Sequence, residues 1–170
     1  MNPRTVMLRI LFLLGMMAIA IFAHNASAGV RKPERSTAKK ISTLITKYAK
    51  KYKLERTYLS CLYKIESSYI LNTVSKTHDH GIGQINERTA IMLKMNVEKL
   101  TTDLEYSIDK SAGMLAYYKW LKALDEPRTW VCRYNIGPGP LELKNRSSLC
   151  EDYLAKFYKC TTSKTLVGVL

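Results

Sequence analysis

Acidic residues, metal-binding cysteine pairs and long apolar runs are all scarce in this sequence. Its 170 residues include 14 acidic side chains against 27 basic ones, and the formal net charge is +13. A surface of this sign favours polyanions as partners. Nucleic acid is not expected among them, because the sequence has no recognition motif with groove-reading geometry.

The apolar run near the N-terminus is too short to span a bilayer. It covers Ile10 to Ala23, about fourteen residues, whereas a spanning helix needs roughly 20. Arg4 and Arg9 precede the run and Ala26-Ser27-Ala28 follows it, which is the pattern of a cleavable secretory signal peptide. We therefore predict a signal peptide over residues 1–28, a periplasmic or cell-envelope location, and no stable membrane anchor after cleavage.

Export narrows the expected partners further. An exported protein meets little nucleic acid, so acidic polymers of the cell envelope match the basic charge better. A basic surface that is kept soluble by repulsion explains the same composition equally well.

The four cysteines lack the C-x-x-C spacing of zinc sites, and no metal is expected. They are Cys61, Cys132, Cys150 and Cys160. In an oxidising compartment an even number predicts up to two disulfides, with three possible pairings. If residues 150–160 form one helix, Cys150 and Cys160 lie about 15 Å apart, and a bridge tolerates only roughly 7 Å. Each would then pair with Cys61 or Cys132. In the alternative, Cys61 pairs with Cys132. This requires either a break in the last helix or Cys150 and Cys160 as free thiols.

Apolar residues recur at helical spacing along most of the chain after the signal peptide. Residues 67–86 differ, because β-favouring residues are few there, and we expect a loop with at most one small hairpin. Tyr117, Tyr118 and Trp120 lie at helical spacing and are expected in the core. The predicted helices cover residues 38–52, 57–66, 87–95, 103–124, a segment opened by Pro127, and about 149–158.

These elements predict a mainly α single domain of about six helices around a cleft. The domain is assigned to residues 38–160, with a polar lead-in at 29–37 and a flexible tail at 161–170. The length that remains after signal cleavage is enough for one hydrophobic core, and we expect a monomer.

A carboxylate, Glu66, occupies an unfavourable position at the C-terminal end of the second predicted helix. The helix dipole disfavours negative charge there, and the preceding Leu62, Tyr63 and Ile65 form a largely apolar surface. Both effects would raise the pKa of the carboxyl group and keep it protonated near neutrality. Such an acid is suited to donate a proton.

Three ordered blocks of sequence resemble the lysozyme-like lytic transglycosylases, the family of the soluble lytic transglycosylase catalytic domain. The first block is Glu66-Ser67, followed nine residues after the glutamate by Ser75. The second, Gly81-Ile82-Gly83-Gln84-Ile85, places its glutamine eighteen residues after the glutamate. The third, Tyr134-Asn135-Ile136-Gly137, is similar to the family's Ala-Tyr-Asn-x-Gly block, and Tyr153 is similar to its closing tyrosine. The resemblance covers about residues 40–158.

The resemblance implies a lysozyme-like fold and cleavage of peptidoglycan glycan strands without a cofactor. The bond cut would be the β-1,4 linkage between N-acetylmuramic acid and N-acetylglucosamine. Glu66 would act as general acid and then as general base on the C6 hydroxyl of the muramic acid, which closes a 1,6-anhydro ring. By resemblance, Tyr134 would hydrogen-bond near Glu66. The remaining site residues would contact the acetylated sugar or position backbone and substrate: Ser75, Gln84, Asn86 and Asn135.

The segment Asp79-His80-Gly81-Ile82-Gly83-Gln84-Ile85-Asn86 is similar to a variant found in small transglycosylases of secretion systems and pili, and in animal-type lysozymes. The first likeness implies local wall remodelling for a secretion system or pilus, a component of which would be a partner. The second keeps open a hydrolase in which Asp79 is the second carboxylate beside Glu66. A third hypothesis is a non-catalytic envelope-binding assembly factor.

Overall fold

Seven helices and one small sheet make up the described part of the chain, which confirms the mainly α fold class. The computed structural model describes residues 34–121, 127–137 and 144–163. The helices are α1 Arg35–Tyr52, α2 Arg56–Ser67, α3 Glu87–Met92, α4 Val97–Thr102, α5 Leu104–Trp120, α6 Pro127–Ile136 and α7 Lys144–Thr162. The strands are β1 Asp79–His80 and β2 Ile85–Asn86, an antiparallel pair in which Asp79 faces Asn86 and His80 faces Ile85.

Helix α5 lies at the centre of the fold and packs against α1, α4 and α6, while α7 packs against α2 and α6. The largest fully buried side chains come from several of these helices, so the core is shared among them. They include Ile41, Ile45, Leu59, Leu62, Ile108, Leu115, Trp130 and Phe157.

Two repeated sets of polar contacts fix the register of α1 on α5. The first set joins Lys47 and Tyr48 to Oε1 of Glu105, at 2.6 and 3.0 Å. The second lies one helical turn further along both helices. It joins Lys51 and Tyr52 to Oδ1 of Asp109, at 2.6 and 2.8 Å.

The helix boundaries differ from the prediction at several ends. Helix α1 begins at Arg35 instead of residue 38, within the predicted lead-in, and α5 ends at Trp120 instead of residue 124. The prediction lacks α4, which begins where the Asn96 side chain accepts a hydrogen bond from the Lys99 N–H. Helix α3 ends at Met92 instead of residue 95, and α7 is longer at both ends than the predicted 149–158. Asn86 and Asn96 cap the first turns of α3 and α4, but apolar periodicity alone does not resolve helices of one or two turns.

The expectation that all three aromatic residues near the end of α5 are buried is wrong for two of them. Tyr118 is buried, but Tyr117 and Trp120 are 62% and 61% exposed. The apolar residues of α5 are spread around most of its circumference. Their spacing therefore does not reveal which side of the last turns stays exposed to solvent.

Two disulfides tie α7 to the helices beside it. Cys61 of α2 pairs with Cys160, and Cys132 of α6 pairs with Cys150, with a Cα separation of 5.7 Å in both. Because α7 is continuous from Lys144 to Thr162, its two cysteines do not pair with each other, which is the arrangement expected for an unbroken last helix.

The signal peptide predicted over residues 1–28 and most of the predicted tail lie outside the described residues. None of the described helices is long and apolar enough to cross a membrane.

Candidate active site

A cleft with a volume of about 540 Å³ opens between the end of α2, the hairpin, α3, α5 and the end of α6. Its size is typical of a ligand-binding site. Six of the seven residues predicted to take part in catalysis or substrate binding line it: Glu66, Asp79, Gln84, Asn86, Tyr134 and Asn135.

Glu66 is placed in the cleft by the way α2 ends. Ser68 adopts a left-handed conformation (φ 53°), and its N–H donates to the Lys64 carbonyl oxygen, so the helix ends at Ser67, one residue after Glu66. The Ser67 hydroxyl then donates to the Ile82 carbonyl oxygen at 2.8 Å. This bond holds the end of α2 against the glycine-containing turn of the second sequence block.

The two glycines of that turn allow it to lie directly against the helical core. A Cβ atom on Gly81 would lie 1.9 Å from the Leu100 carbonyl oxygen, and Gly81 also has a positive φ of 76°. A Cβ on Gly83 would lie 2.4 Å from Cβ of Ser111. Both positions therefore exclude larger residues, and the turn brings Gln84 to the cleft wall.

The carboxyl group of Glu66 lies in surroundings that favour its protonated form. Its pKa is raised from 4.5 to about 7 as the net effect of three causes: burial raises it, a hydrogen bond from Tyr153 lowers it, and the nearby charge of Asp79 raises it. Burial is the largest cause, because removing the carboxylate from water disfavours the charged form. The raised pKa expected from the sequence is therefore present at this position.

Tyr153 of α7 contacts Glu66 directly, with its hydroxyl donating to Oε1 of the carboxyl group. Burial, followed by the Glu66 charge, raises the pKa of Tyr153 well above its usual value, so this hydroxyl stays protonated and remains a donor. The sequence identifies Tyr153 as the closing tyrosine of the resemblance but not as a partner of Glu66. The two residues are 87 positions apart, and no local pattern indicates the contact.

Tyr134 makes its hydrogen bond to the glycine-containing turn beside Glu66. Its buried hydroxyl donates to the Gly83 carbonyl oxygen at 2.7 Å rather than to Glu66. The missing side chain at Gly83 leaves room for this hydroxyl, since a Cβ there would lie only 2.8 Å from it. Tyr134 therefore joins α6 to the glycine-containing turn and forms part of the wall beside Glu66.

Asp79 is held in the cleft by hydrogen bonds to both of its carboxylate oxygens. Asn86 donates to Oδ1 at 2.9 Å, while Ser75 donates to Oδ2 at 2.7 Å and Thr77 donates to the same oxygen. In the described part of the chain, Ser75 is not among the residues that line the cleft. Its hydroxyl donates to Asp79 instead. Its expected contact with the sugar stays a prediction, and the contact that the structure shows is the one to Asp79.

Two amide side chains have structural as well as lining roles. The Gln84 amide nitrogen donates to the Gly81 carbonyl oxygen at 2.8 Å, and Gln84 also lines the cleft. Asn86 caps the N-terminus of α3 by accepting from the Arg88 N–H. Asn135 is exposed at the cleft surface.

Several cleft residues have no signal in the sequence motifs. Met114 and Tyr118 of α5, Thr89 of α3 and Thr77 also line the cavity. Tyr118 and Met114 follow the helical period of core residues, so a sequence pattern cannot separate core from cleft wall at these positions. Among the described residues, no group of three or more histidine, cysteine or acidic side chains is placed to hold a metal ion.

Comparison with known proteins finds a matching family model and matching solved structures. A family model described as "Transglycosylase SLT domain" matches residues 43–153. Among solved structures, the chain is similar to the 70 kDa soluble lytic transglycosylase SLT70 from Escherichia coli, with a TM-score of 0.51 and 17% sequence identity over 75% of this chain. The likeness confirms the lysozyme-like fold, and this chain covers 22% of the length of SLT70. No curated protein matches.

Proposed function

The chain belongs to the transglycosylase SLT domain family, and from this membership we propose that it is a peptidoglycan lytic transglycosylase. The proposed reaction cuts the β-1,4 bond between N-acetylmuramic acid and N-acetylglucosamine and leaves 1,6-anhydro ends. The observation that carries the proposal is Glu66, a partly buried acid in the cleft with its pKa raised to about 7.

In the first step Glu66 donates its proton to the glycosidic oxygen as the bond from C1 to that oxygen breaks. A pKa near 7 keeps a large share of the carboxyl groups protonated at neutral pH. The carbonyl oxygen of the muramic acid's own N-acetyl group attacks C1, so no protein nucleophile is required.

In the second step Glu66, now a carboxylate, takes the proton from the C6 hydroxyl of the same sugar. The C6 oxygen displaces the acetamido oxygen at C1, which closes the anhydro ring and restores the protonated acid. No water is consumed. Because Tyr153 donates to Oε1, the other carboxyl oxygen is the one that carries the transferred proton.

The test of the acid is the variant Glu66→Gln, assayed for release of soluble muropeptides from purified peptidoglycan. Glutamine keeps the size and the acceptor for Tyr153 but cannot transfer a proton, and we expect activity to fall by about 10²–10⁴-fold. Glu98→Gln is the matched control, since Glu98 is an exposed glutamate of α4 that does not line the cleft. Clearance by Glu66→Gln at the wild-type rate would exclude Glu66 as the general acid.

A second candidate, a lysozyme-type hydrolase, is favoured by one observation. Asp79 lies in the same cleft, accepts hydrogen bonds at both carboxylate oxygens, and raises the pKa of Glu66 through its charge. As a nucleophile, or as the base that activates water, it would yield reducing ends instead of anhydro ends.

The variant Asp79→Asn separates the two candidates. A hydrolase that depends on this carboxylate should lose at least about 10³-fold in activity, since the second carboxyl group takes part in the chemistry. The transglycosylase should keep most of its activity and release anhydro products, with its alkaline limb displaced to lower pH because the Asp79 charge is gone.

Export to the cell envelope is part of the proposed function. The signal pattern over residues 1–28 and the two disulfides both fit an oxidising compartment outside the cytoplasm. Protein recovered from envelope fractions should begin at Gly29, as read by N-terminal sequencing. Recovery of the uncut chain from the cytoplasm would contradict this.

We also propose that the cut serves a secretion system or pilus. The support is the Asp-x-Gly-x-x-Gln-Ile-Asn form at residues 79–86 and the small size of the chain. Cross-linking in intact cells followed by purification of the chain should recover a component of such a machine. Recovery of wall material alone would count against this role.

A further inference from the structure

Helix α1 has an exposed basic side that runs along its length. Its residues Arg35–Tyr52 include six basic side chains and no acidic one. Two of the six, Lys47 and Lys51, form ion pairs with carboxylates of α5, so their charges are compensated within the protein. The other four are exposed to solvent: Arg35, Lys39, Lys40 and Lys50.

Three of these cations fall on one line along the helix. At about 100° per residue, Arg35, Lys39 and Lys50 point to the same side of α1. The buried Ile41 and Tyr48 lie on the opposite side, which packs into the core. The line is about 22 Å long at a rise of 1.5 Å per residue. It therefore faces directly away from the core of the domain.

Two further cations extend this line beyond the end of α1. Lys53 is exposed at the C-cap of the helix. The guanidinium group of Arg56 donates to two hydroxyl groups of α1, at 2.7 and 3.1 Å, and these neutral acceptors do not compensate its charge. The acids beside these cations in the chain are Glu34 and Glu55, so five cations against two acids leave an excess of three. We call the five cations the basic face: Arg35, Lys39, Lys50, Lys53 and Arg56.

The basic face lies on the side of the molecule that is turned away from the cleft. Glu105 and Asp109 of α5 bond to α1, whereas Met114 and Tyr118 of α5 line the cleft. At about 100° per residue, these two pairs are about 180° apart around α5. Helix α1, which the structure describes throughout, contributes no residue to the lining of the cleft. A surface bound at the basic face therefore leaves the cleft accessible.

We propose that the basic face binds the anionic headgroups of membrane phospholipids and holds the exported enzyme reversibly on the bilayer, with its cleft directed to the wall. This inference rests on the proposed export. Anionic headgroups attract basic residues at the membrane surface within about one Debye length, roughly 10 Å. Because the apolar side chains of α1 are buried in the domain, the attachment is electrostatic and needs no insertion into the bilayer.

The order of the chain favours a membrane over an acidic wall polymer. Only residues 29–34 separate the predicted cleavage site from Arg35, so α1 is the first helix to follow the signal peptide. Arg31 and Lys32 in this segment add two more basic residues. An acidic polymer attached to the wall would be met on the cleft side, where the substrate binds, and the basic face is on the other side.

The experiment measures co-sedimentation of the protein recovered from envelope fractions with lipid vesicles. Vesicles of phosphatidylglycerol mixed with phosphatidylcholine should bind the protein, vesicles of phosphatidylcholine alone should not, and salt should release it. The double variant Lys39→Gln and Lys50→Gln should bind about 30-fold more weakly, because it loses two cations from the membrane surface. Lys156→Gln with Lys159→Gln is the matched control, since it removes the same charge from exposed lysines of α7.

Three results would overturn the inference. Equal weakening in the two double variants would show that net charge, and not the basic face, determines binding. Equal binding to both kinds of vesicle would show that the attachment is not electrostatic. If no vesicle is bound, but dextran sulfate is bound and the variant of α1 loses that binding, the partner is an acidic polymer instead of a membrane.

Cleavage of purified, lipid-free peptidoglycan is a separate readout, and we expect wild-type rates from both double variants. Their exchanged lysines do not line the cleft. Vesicle binding through the basic face without any cleavage by the wild-type protein would remove the proposed activity and leave the membrane contact in place. Cleavage without vesicle binding would remove the membrane contact alone.

Discussion

Glu66 has three influences on its pKa that act in different directions. Burial raises the pKa most, the Tyr153 hydrogen bond lowers it, and the Asp79 charge raises it. The resulting value of about 7 is a balance among them. Replacing one neighbour should therefore move the pH profile of the enzyme in a direction that the structure specifies.

Tyr153→Phe should move the alkaline limb of kcat/KM to higher pH. The variant removes the hydrogen bond that favours the charged carboxylate, so Glu66 should keep its proton to higher pH. Tyr158→Phe is the control, because Tyr158 is an exposed tyrosine of the same helix. A shift of the limb to lower pH in Tyr153→Phe, or equal shifts in both variants, would contradict the assigned role.

The raised pKa of Glu66 also predicts a pH-dependent stability. With a folded pKa of about 7 and an unfolded value of 4.5, the stability from the protonated acid is fully present below pH 4.5 and is lost as the pH rises to about 7. Relative to wild type, Glu66→Gln should gain up to roughly 3 kcal/mol in unfolding free energy across this range.

Urea unfolding of both proteins at pH 4 and pH 8 measures this gain. The measurement at pH 4 is the internal control, because Glu66 is protonated there in both folded and unfolded chains. A difference between the variants that does not change with pH would show that the carboxyl group is not buried in its protonated form.

At the scale of elements, the turn that carries Gly81 and Gly83 connects the hairpin to the helical core. Gly81 needs both its positive φ and its missing side chain, because a Cβ would lie 1.9 Å from the Leu100 backbone. Gly137 also has a positive φ, of 79°, but no atom lies within 4 Å of the place where its Cβ would be. A comparison of the two positions therefore distinguishes the cost of a left-handed backbone from the cost of a steric clash.

Gly81→Ala should destabilise the protein by several kcal/mol more than Gly137→Ala. Both variants carry the cost of about 1–2 kcal/mol for a left-handed alanine, and only Gly81→Ala must also displace the Leu100 backbone. Thermal and urea unfolding of the two variants give the comparison. Equal losses of unfolding free energy in the two variants would mean that the turn is free to move away from α4.

Sequence patterns predict elements of this fold well where an apolar stripe is long. The period in α1 and α2 and the position of Glu66 are examples. Helix α4 is too short for a periodic signal. The exposure of Tyr117 depends on which side of α5 is left uncovered, and that is a property of the assembled helices.

The sequence motifs predict those residues of the candidate site that lie within the motifs themselves. Six of the seven predicted residues line one cleft because their blocks end α2, form the hairpin and end α6. The bond from Tyr153 to Glu66 and the support of Asp79 by Ser75 were not predictable, because both depend on tertiary contacts between side chains.

At the scale of the whole molecule, the disulfide between Cys61 and Cys160 joins the two helices that carry Glu66 and Tyr153. It closes a sequence separation of 99 residues, against 18 for the disulfide between Cys132 and Cys150. All four cysteines are buried, so the loss of packing is similar for either pair. The length of the closed loop is the main difference between them.

Replacing Cys61 and Cys160 by serine should cost more stability than replacing Cys132 and Cys150. Chain entropy gives roughly 4.7 kcal/mol for a loop of about 100 residues and about 3 kcal/mol for one of about 15. Urea unfolding at equal protein concentration provides the ranking. A larger loss from the Cys132 and Cys150 pair would show that the constraint on the unfolded chain is not the dominant effect.

The most direct measurement of the central claim is mass spectrometry of muropeptides released from peptidoglycan by the purified protein in ¹⁸O-labelled water. If Glu66 acts alone on the C6 hydroxyl, the products carry 1,6-anhydro-muramic acid and no label, and the Glu66→Gln protein releases almost none. Reducing ends that contain the heavy oxygen would instead establish hydrolysis and contradict the account.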